Sequence, residues 1–378
     1  MKKRDFYLPS SDGKSRLHCV EWLPDGAELQ TVKLWVQLVH GMNEHMGRYG
    51  EFASFLAEHG IAVIGHDCLG HGSTAAYGAT ELSKEDRGFF AAENGGAFLL
   101  RDMRRVASYG AKCYPNAKHI MLGHSMGSFL TRRYLSAYPG KEPDGVILLG
   151  TGFPALPLVF TGEMLASLFG KRKGKHYRSR LLYELSIGNY NRKFQPVRTD
   201  YDWLTRDERY VDRFLNNPRC DFIFTVGAYR DFFHEIRAAE EAEMVGYMPT
   251  VIPYLILSGD KDPVGENGKG VKKLAALYRK VGVQDITMKL YPGARHEVLN
   301  EVNREEVFED ILRWLTEKYN IIFYSLISAP FCPFACSGCL LSGLIFHPHK
   351  GNGADQYRKQ GSCRSSTAHG KQVVRIVF

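Results

Sequence analysis

No long apolar run follows the basic start MKKRDFYLPSSDGK, so no cleavable secretory signal is expected and a cytoplasmic location is. Four of the eight cysteines, Cys19, Cys68, Cys113 and Cys220, lack pairing-like spacing, which suits a reducing compartment better than a disulfide framework. No internal repeat is present. The body of the chain also lacks a strong excess of one charge. Lys350, Arg358, Lys359, Arg364, Lys371 and Arg375 against Asp355 place +5 of the formal +8 beyond residue 318, leaving +3 before it. That balance gives nucleic acid no special invitation, and no nucleic-acid partner is expected. The 378 residues suffice for one large or two ordinary domains, at roughly 100 to 200 residues each.

What is present is an alternation of short apolar, β-branched runs with longer stretches of helical periodicity. It predicts an α/β fold: a mostly parallel, eight-stranded sheet with helices on both faces. The candidate strands are FYLPSS (6–11), LHCVEWL (17–23), KLWVQLVH (33–40), IAVIGHD (61–67), HIMLGHS (119–125), GVILLGT (145–151), YLILSGD (254–260) and ITMKLYP (286–292). The first two alternate apolar with polar residues, as an antiparallel edge would, whereas the later ones are nearly continuous apolar runs. Val271, Leu274, Ala275, Tyr278 and Val281 mark the buried stripe of one helix. A second helix starts at Asn303, expected to cap the first turn while Glu306 reaches back to it. From about 153 to 250 the strand rhythm stops and aromatic-rich helical sequence takes over. This predicts an α/β core over 1–152 and 251–319, a helical cap over 153–250 inserted after the sixth strand, and an atypical tail over 320–378.

The stretch GHSMG, residues 123–127, follows an apolar strand and opens the helical run MGSFLTRRYLSAY. A G-x-S-x-G turn this tight leaves no room for side chains beside the serine, and it exposes Ser125 at the carboxyl end of the strand. Helix amides behind it favour negative charge on an attacked carbonyl oxygen. A serine nucleophile needs a base within reach, and the base needs an acceptor to hold its tautomer. Two later strand ends supply both. SGDKDPV carries Asp260 and Asp262, and PGARHEV carries His296.

With HGMNEHMGRY at 40–49, DCLGHGS at 67–73, GHSMGS at 123–128, SGDKDPV at 258–264 and ARHE at 294–297, the chain resembles the monoacylglycerol lipase and lysophospholipase group of the α/β-hydrolase superfamily, a serine aminopeptidase S33-type group. The likeness runs over roughly residues 5 to 318. It implies Ser125 as nucleophile, His296 as base and Asp262, just before Pro-Val, as the acid, with Asp260 capping a turn instead. It also implies the backbone amides of Met42 and Met126 as the oxyanion hole. The position of Met42 just after the third strand supports that assignment independently. His40, Gly41 and His124 are expected to bind substrate.

Competing readings narrow this picture. His66, Asp67 and His71 could suggest a metal, but Gly70 and Gly72 among them point to a tight hydrogen-bonded loop, so neither metal nor cofactor is expected. The run KRKGKHYRSR, 171–180, reads first as a solvated loop, and transient contact of the cap with a membrane surface stays open. FPALPLVF and MLASLF could wall an acyl chain or pack on the cap's own core. The tail stretch 321–346 has no charged residue and holds Cys332, Cys336 and Cys339; chance or an aberrant extension ranks before a membrane anchor, and a metal site ranks last. The expected activity is hydrolysis of a carboxylic acyl ester, with a small-molecule substrate and an acyl-enzyme intermediate. The alternatives are an amide or peptide hydrolase of proline-iminopeptidase type, for which Glu240, Glu241 and Glu243 would hold a substrate amine, and a catalytically silent binding protein.

Overall fold

The computed structural model describes residues 1–26 and 29–321. Strands β1 (Lys2–Pro9) and β2 (Ser15–Leu23) pair antiparallel, with Phe6 opposite Cys19, and form one edge of the sheet. The first strand begins earlier and ends earlier than its apolar run suggests, because pairing with β2 carries it into the polar residues Lys2 to Asp5. The next strands are β3 (Leu34–Val39), β4 (Ala62–His66) and a two-residue β5 (Ala75–Ala76) on β2 that no sequence pattern announced. Strands β6 (Lys118–His124), β7 (Gly145–Leu149), β8 (Tyr254–Gly259) and β9 (Ile286–Tyr291) complete the sheet, in the order β1-β2-β4-β3-β6-β7-β8-β9. From β4 onward in that order every pairing is parallel.

Burial explains the sequence pattern. Strands β3, β4, β7 and β8 are buried at every residue because helices cover both faces of the sheet. Alternate residues serve opposite faces: Ile147 and Leu149 of β7 pack with helices α1 (Gly50–Glu58) and α9 (Arg304–Tyr319). Val146 and Leu148 pack toward α8 (Lys269–Lys280), while α2 (Gly95–Cys113) and α3 (Met126–Ala137) cover the same side further along. Asn303 precedes α9 as expected but makes no side-chain cap, since its amide oxygen accepts from Arg206 and its amide nitrogen donates to Glu306. A lost cap costs about 1 kcal/mol. Burying Val307, Ile311 and Leu315 is worth about 1.5–3 kcal/mol each, so packing decides the helix.

Between β7 and β8 lie α4 (Leu156–Lys173), α5 (Arg180–Tyr183), α6 (Glu208–Leu215) and α7 (Val226–Met244), with no strand among them. Glu163 of α4 accepts from Arg237 of α7 at 2.9 Å, and the two helices pack along their lengths. Among the described residues no helix is long and apolar enough to cross a membrane. The uncharged stretch from 322 to 346, its three cysteines and the basic end beyond lie outside the described residues.

Candidate active site

Parallel strands deliver their carboxyl ends to one rim of the sheet, and a site forms where the following loops meet. Here β3 leads to His40, Gly41 and Met42, β6 leads to Ser125, β8 leads to Asp262, and β9 leads to His296. Ser125 sits between β6 and α3 with φ 52° and ψ −121°, a strained backbone for a residue with a side chain. The flanking glycines make the turn affordable. A Cβ at Gly123 would land on the Gly127 carbonyl, and one at Gly127 would land on the Val39 carbonyl. The Ser125 amide donates to Leu149 at 3.0 Å, which anchors the turn to β7.

His296 Nδ1 lies 3.0 Å from Asp262 Oδ1, and both side chains are buried. Asp262 is itself held: Val264 donates its amide to Oδ1 at 2.9 Å and Ser258 donates its hydroxyl to Oδ2 at 2.9 Å. Asp260 instead accepts from the Gly293 amide at 2.7 Å, in the turn after β9. Gly150 makes space for the imidazole, because a Cβ there would sit 3.0 Å from His296 Cε1 and Nδ1. Ser125 and His296 both line an apolar pocket roofed by the cap, with Leu158 and Leu165 from α4 and Phe233 and Ile236 from α7. Met42 and Met126 line the same pocket, and neither backbone amide donates to another described residue.

Behind Ser125 lies a polar cluster that the motifs contained but did not explain. Glu44 Oε1 accepts from the Gly41 amide at 2.5 Å and from Tyr49 at 2.6 Å, and lies 3.0 Å from His124 Nδ1. Arg48 reaches Glu44 at 3.1 Å and grips Glu297 with two bonds of 2.6 and 2.7 Å. Burial alone would push Glu44 up, but His124 and Arg48 hold its carboxyl well below the ordinary range. Burial likewise disfavours a charged His124, yet the Glu44 carboxylate raises its pKa. Glu297, next to His296, is lowered against its burial by Arg48. The cluster thus joins the loops after β3 and β9 to the end of β6 by charge-assisted bonds. Glu44, Arg48 and Tyr49 stood inside HGMNEHMGRY, so a signal existed. Trp203, whose ring lies 5.1 Å from that of His296, had none.

Of the residues expected to bind substrate, His124 lines the pocket and the other two do not. Gly41 packs its backbone beneath Ser125, where a Cβ would come within 3.0 Å of the serine Cβ. His40 is buried behind it, with Nδ1 2.8 Å from the Gly41 carbonyl and Nε2 accepting the Cys68 amide at 2.9 Å, so its polar atoms are spent on loop structure. His66 ends β4, and Asp67 and His71 sit in the tight loop after it. Asp67 accepts the amides of Met46 and Ser73 and lies 2.8 Å from His18 Nδ1. Glu240 and Glu243 are buried away from the pocket, and Glu241 pairs with Arg237. The acids that do line the pocket, Glu44 and Glu297, are engaged by Arg48.

Comparison with known proteins agrees with the geometry. The chain is 27% identical over 314 residues to the human monoglyceride lipase, covering 82% of this chain and 90% of that one. It is 27% identical over 292 residues to the monoacylglycerol lipase of Mycolicibacterium smegmatis, covering 74% and 87%. Among solved structures, a thermostable carboxyl esterase from Bacillus coagulans superposes with a TM-score of 0.74 at 25% identity, over 84% of this chain and 99% of that one. The family model described as serine aminopeptidase, S33, matches residues 30–303, and with its α/β-hydrolase sheet and cap the chain belongs to that family.

Proposed function

We propose that this protein is a serine hydrolase that cleaves monoacyl esters of glycerol or of similar small polar alcohols through an acyl-enzyme. Ser125 attacks the ester carbonyl while His296 takes its proton and later returns it to the departing alcohol. Asp262 holds His296 in the tautomer that leaves Nε2 free, and the Met42 and Met126 amides receive the charge on the oxyanion. Water, activated by His296 in turn, releases the fatty acid. The observation that carries this reading is the convergence of the strained Ser125 turn and the buried Asp262–His296 pair at one end of a pocket walled by apolar cap residues. An apolar wall suits an acyl chain, and the lipase names of the relatives point to the same substrate class. An amide substrate with a free amine fits less well, because the pocket's two acids are already paired with arginine.

The exposed face of α4, with Phe160, Met164 and Leu168, belongs to the same reading as a surface for transient contact with lipid aggregates. The basic run 171–180, expected as a loop, begins in the last turn of α4 with Lys171, Arg172 and Lys173, and beyond the helix Arg178 has structural work, donating to the carbonyls of Ile223 and Glu85.

The deciding experiment is hydrolysis of monoacylglycerols and of p-nitrophenyl esters from short to long by the wild type and by Ser125→Ala, together with fluorophosphonate labelling. Labelling and long-chain ester cleavage that vanish in the variant support the proposal. A wild type that is folded, unlabelled and inactive on every ester overturns it.

A further inference from the structure

We infer that a groove along α2, remote from the catalytic pocket, binds a soluble small molecule carrying two or more phosphate groups. Arg101, Arg104, Arg105 and Lys112 all line it or its rim, on the exposed face of one helix. Their spacing of three, four and seven residues places them in one stripe, about 16 Å long at 1.5 Å per residue. None of the four makes an ion pair or a hydrogen bond among the described residues. Their only neighbours of note are rings, with Arg101 5.3 Å from the Phe98 centroid and Arg104 5.0 Å from that of Tyr138. Other arginines nearby are neutralised: Arg133 meets Glu235 at 3.0 Å, and Arg4 meets Glu21 at 2.6 Å. The acid on the same helix, Asp102, is turned inward to the hydroxyl of Ser10 and the amide of Ser11.

An uncompensated stripe of four cations departs from a body whose charge is nearly balanced. The segment beyond residue 318 carries one acid against six bases, so its own formal charge is positive like that of the stripe. The groove is open to solvent, with a volume of about 670 Å³, and Leu8, Pro9 and Tyr109 also line it. That volume is of small-molecule size. A stripe of this length exceeds the reach of a single phosphate but suits a chain of them, each oxygen cluster meeting a guanidinium fork. A membrane surface fits the groove poorly. The large apolar side chains that could enter a bilayer stand out on the cap, at Leu158, Phe160 and Met164, and none of the exposed ones lies on α2.

The test is calorimetric titration of the full chain with inorganic tripolyphosphate, at low and moderate salt, for the wild type, Arg104→Glu/Arg105→Glu and Arg104→Lys/Arg105→Lys. All of these side chains are exposed and unpaired, so the variants should retain the fold and the ester hydrolysis of the wild type. The expected result is salt-sensitive binding by the wild type, weakened at least tenfold by the glutamates and retained by the lysines. Lys171→Glu/Arg172→Glu, on α4, should bind like the wild type. No binding, or binding unaffected by Arg104→Glu/Arg105→Glu, overturns the inference. So does sedimentation with phosphatidylglycerol vesicles that depends on Arg104 and Arg105 while tripolyphosphate fails to bind, which would reassign the groove to a lipid surface.

Discussion

At the scale of single residues, the site depends on small groups in crowded places. Gly123, Gly127 and Gly150 each clear space that a methyl group would fill, two around the Ser125 turn and one beside His296. Asp262 illustrates a different dependence. It is buried, satisfied on both oxygens and aimed at His296 Nδ1, so its contribution is to the orientation and charge of the imidazole. Asp262→Asn should therefore leave the fold and KM nearly intact while lowering kcat by about 10⁴-fold, because an amide can present a donor to Nδ1 and favour the wrong tautomer. Steady-state kinetics on p-nitrophenyl butyrate measures this directly, and a loss below about tenfold would remove Asp262 from the proposed triad. The sequence nominated Ser125, Asp262 and His296 because each follows a strand in a recognisable order. It said nothing of Trp203 against His296, since that contact joins the cap to a loop 93 positions away.

At the scale of elements, α7 is held to the core by charge as well as by apolar packing. Arg132 of α3 is buried and grips Glu243 with bonds of 2.8 and 2.7 Å, and Tyr278 of α8 donates to the same carboxylate at 2.7 Å. Glu240, one turn earlier and 3.8 Å from Arg132, is buried with neither oxygen hydrogen-bonded. Burial pushes its carboxyl up to about 8, Arg132 opposes and Glu243 adds to the rise. The folded chain then keeps a proton that the unfolded chain loses near the ordinary value of 4.5, so stability falls as pH climbs from there toward about 8 and levels off above. Glu240→Gln should flatten that decline, seen as a smaller difference in Tm between pH 5 and pH 8; an unchanged difference would refute it. Helix α4 presents its other side to solvent, with Phe160, Met164 and Leu168 between 42 and 55% exposed. Replacing all three by serine should reduce hydrolysis of monoacylglycerol in vesicles by about tenfold or more, while the rate on soluble p-nitrophenyl acetate stays the same. Equal losses on both substrates would place these residues in the pocket's support instead.

At the scale of the whole molecule, the cap and the sheet share the loop that carries His296. The His296 amide donates to the Trp203 carbonyl at 3.4 Å, Glu297 donates to Leu204 at 2.7 Å, and Arg206 pairs with the buried Glu301 at 2.8 Å. Freeing the cap would expose these groups and unpair Glu301, which links the cap's stability to that of the core. Hydrogen exchange in rising denaturant should show α7 and β7 losing protection at the same concentration. Loss of α7 protection well before β7 would mean that the cap opens as a separate unit.

The sequence by itself determined the sheet, and it nominated a cap segment and the residues of the candidate triad. Parallel strands buried on both faces must be continuous apolar runs, and a serine on a strand-to-helix turn needs glycines at its sides, so both features are written locally. Only the tertiary structure decided that His40 serves the loop below the site and that Glu44, Arg48, His124 and Glu297 form one cluster. The same holds for the cations of α2, unpaired among the described residues, whose isolation depends on where the acids around them come to rest. Charge pairing acts through space over a few ångströms, and residues 249 positions apart, as Arg48 and Glu297 are, carry no local pattern that would announce their meeting.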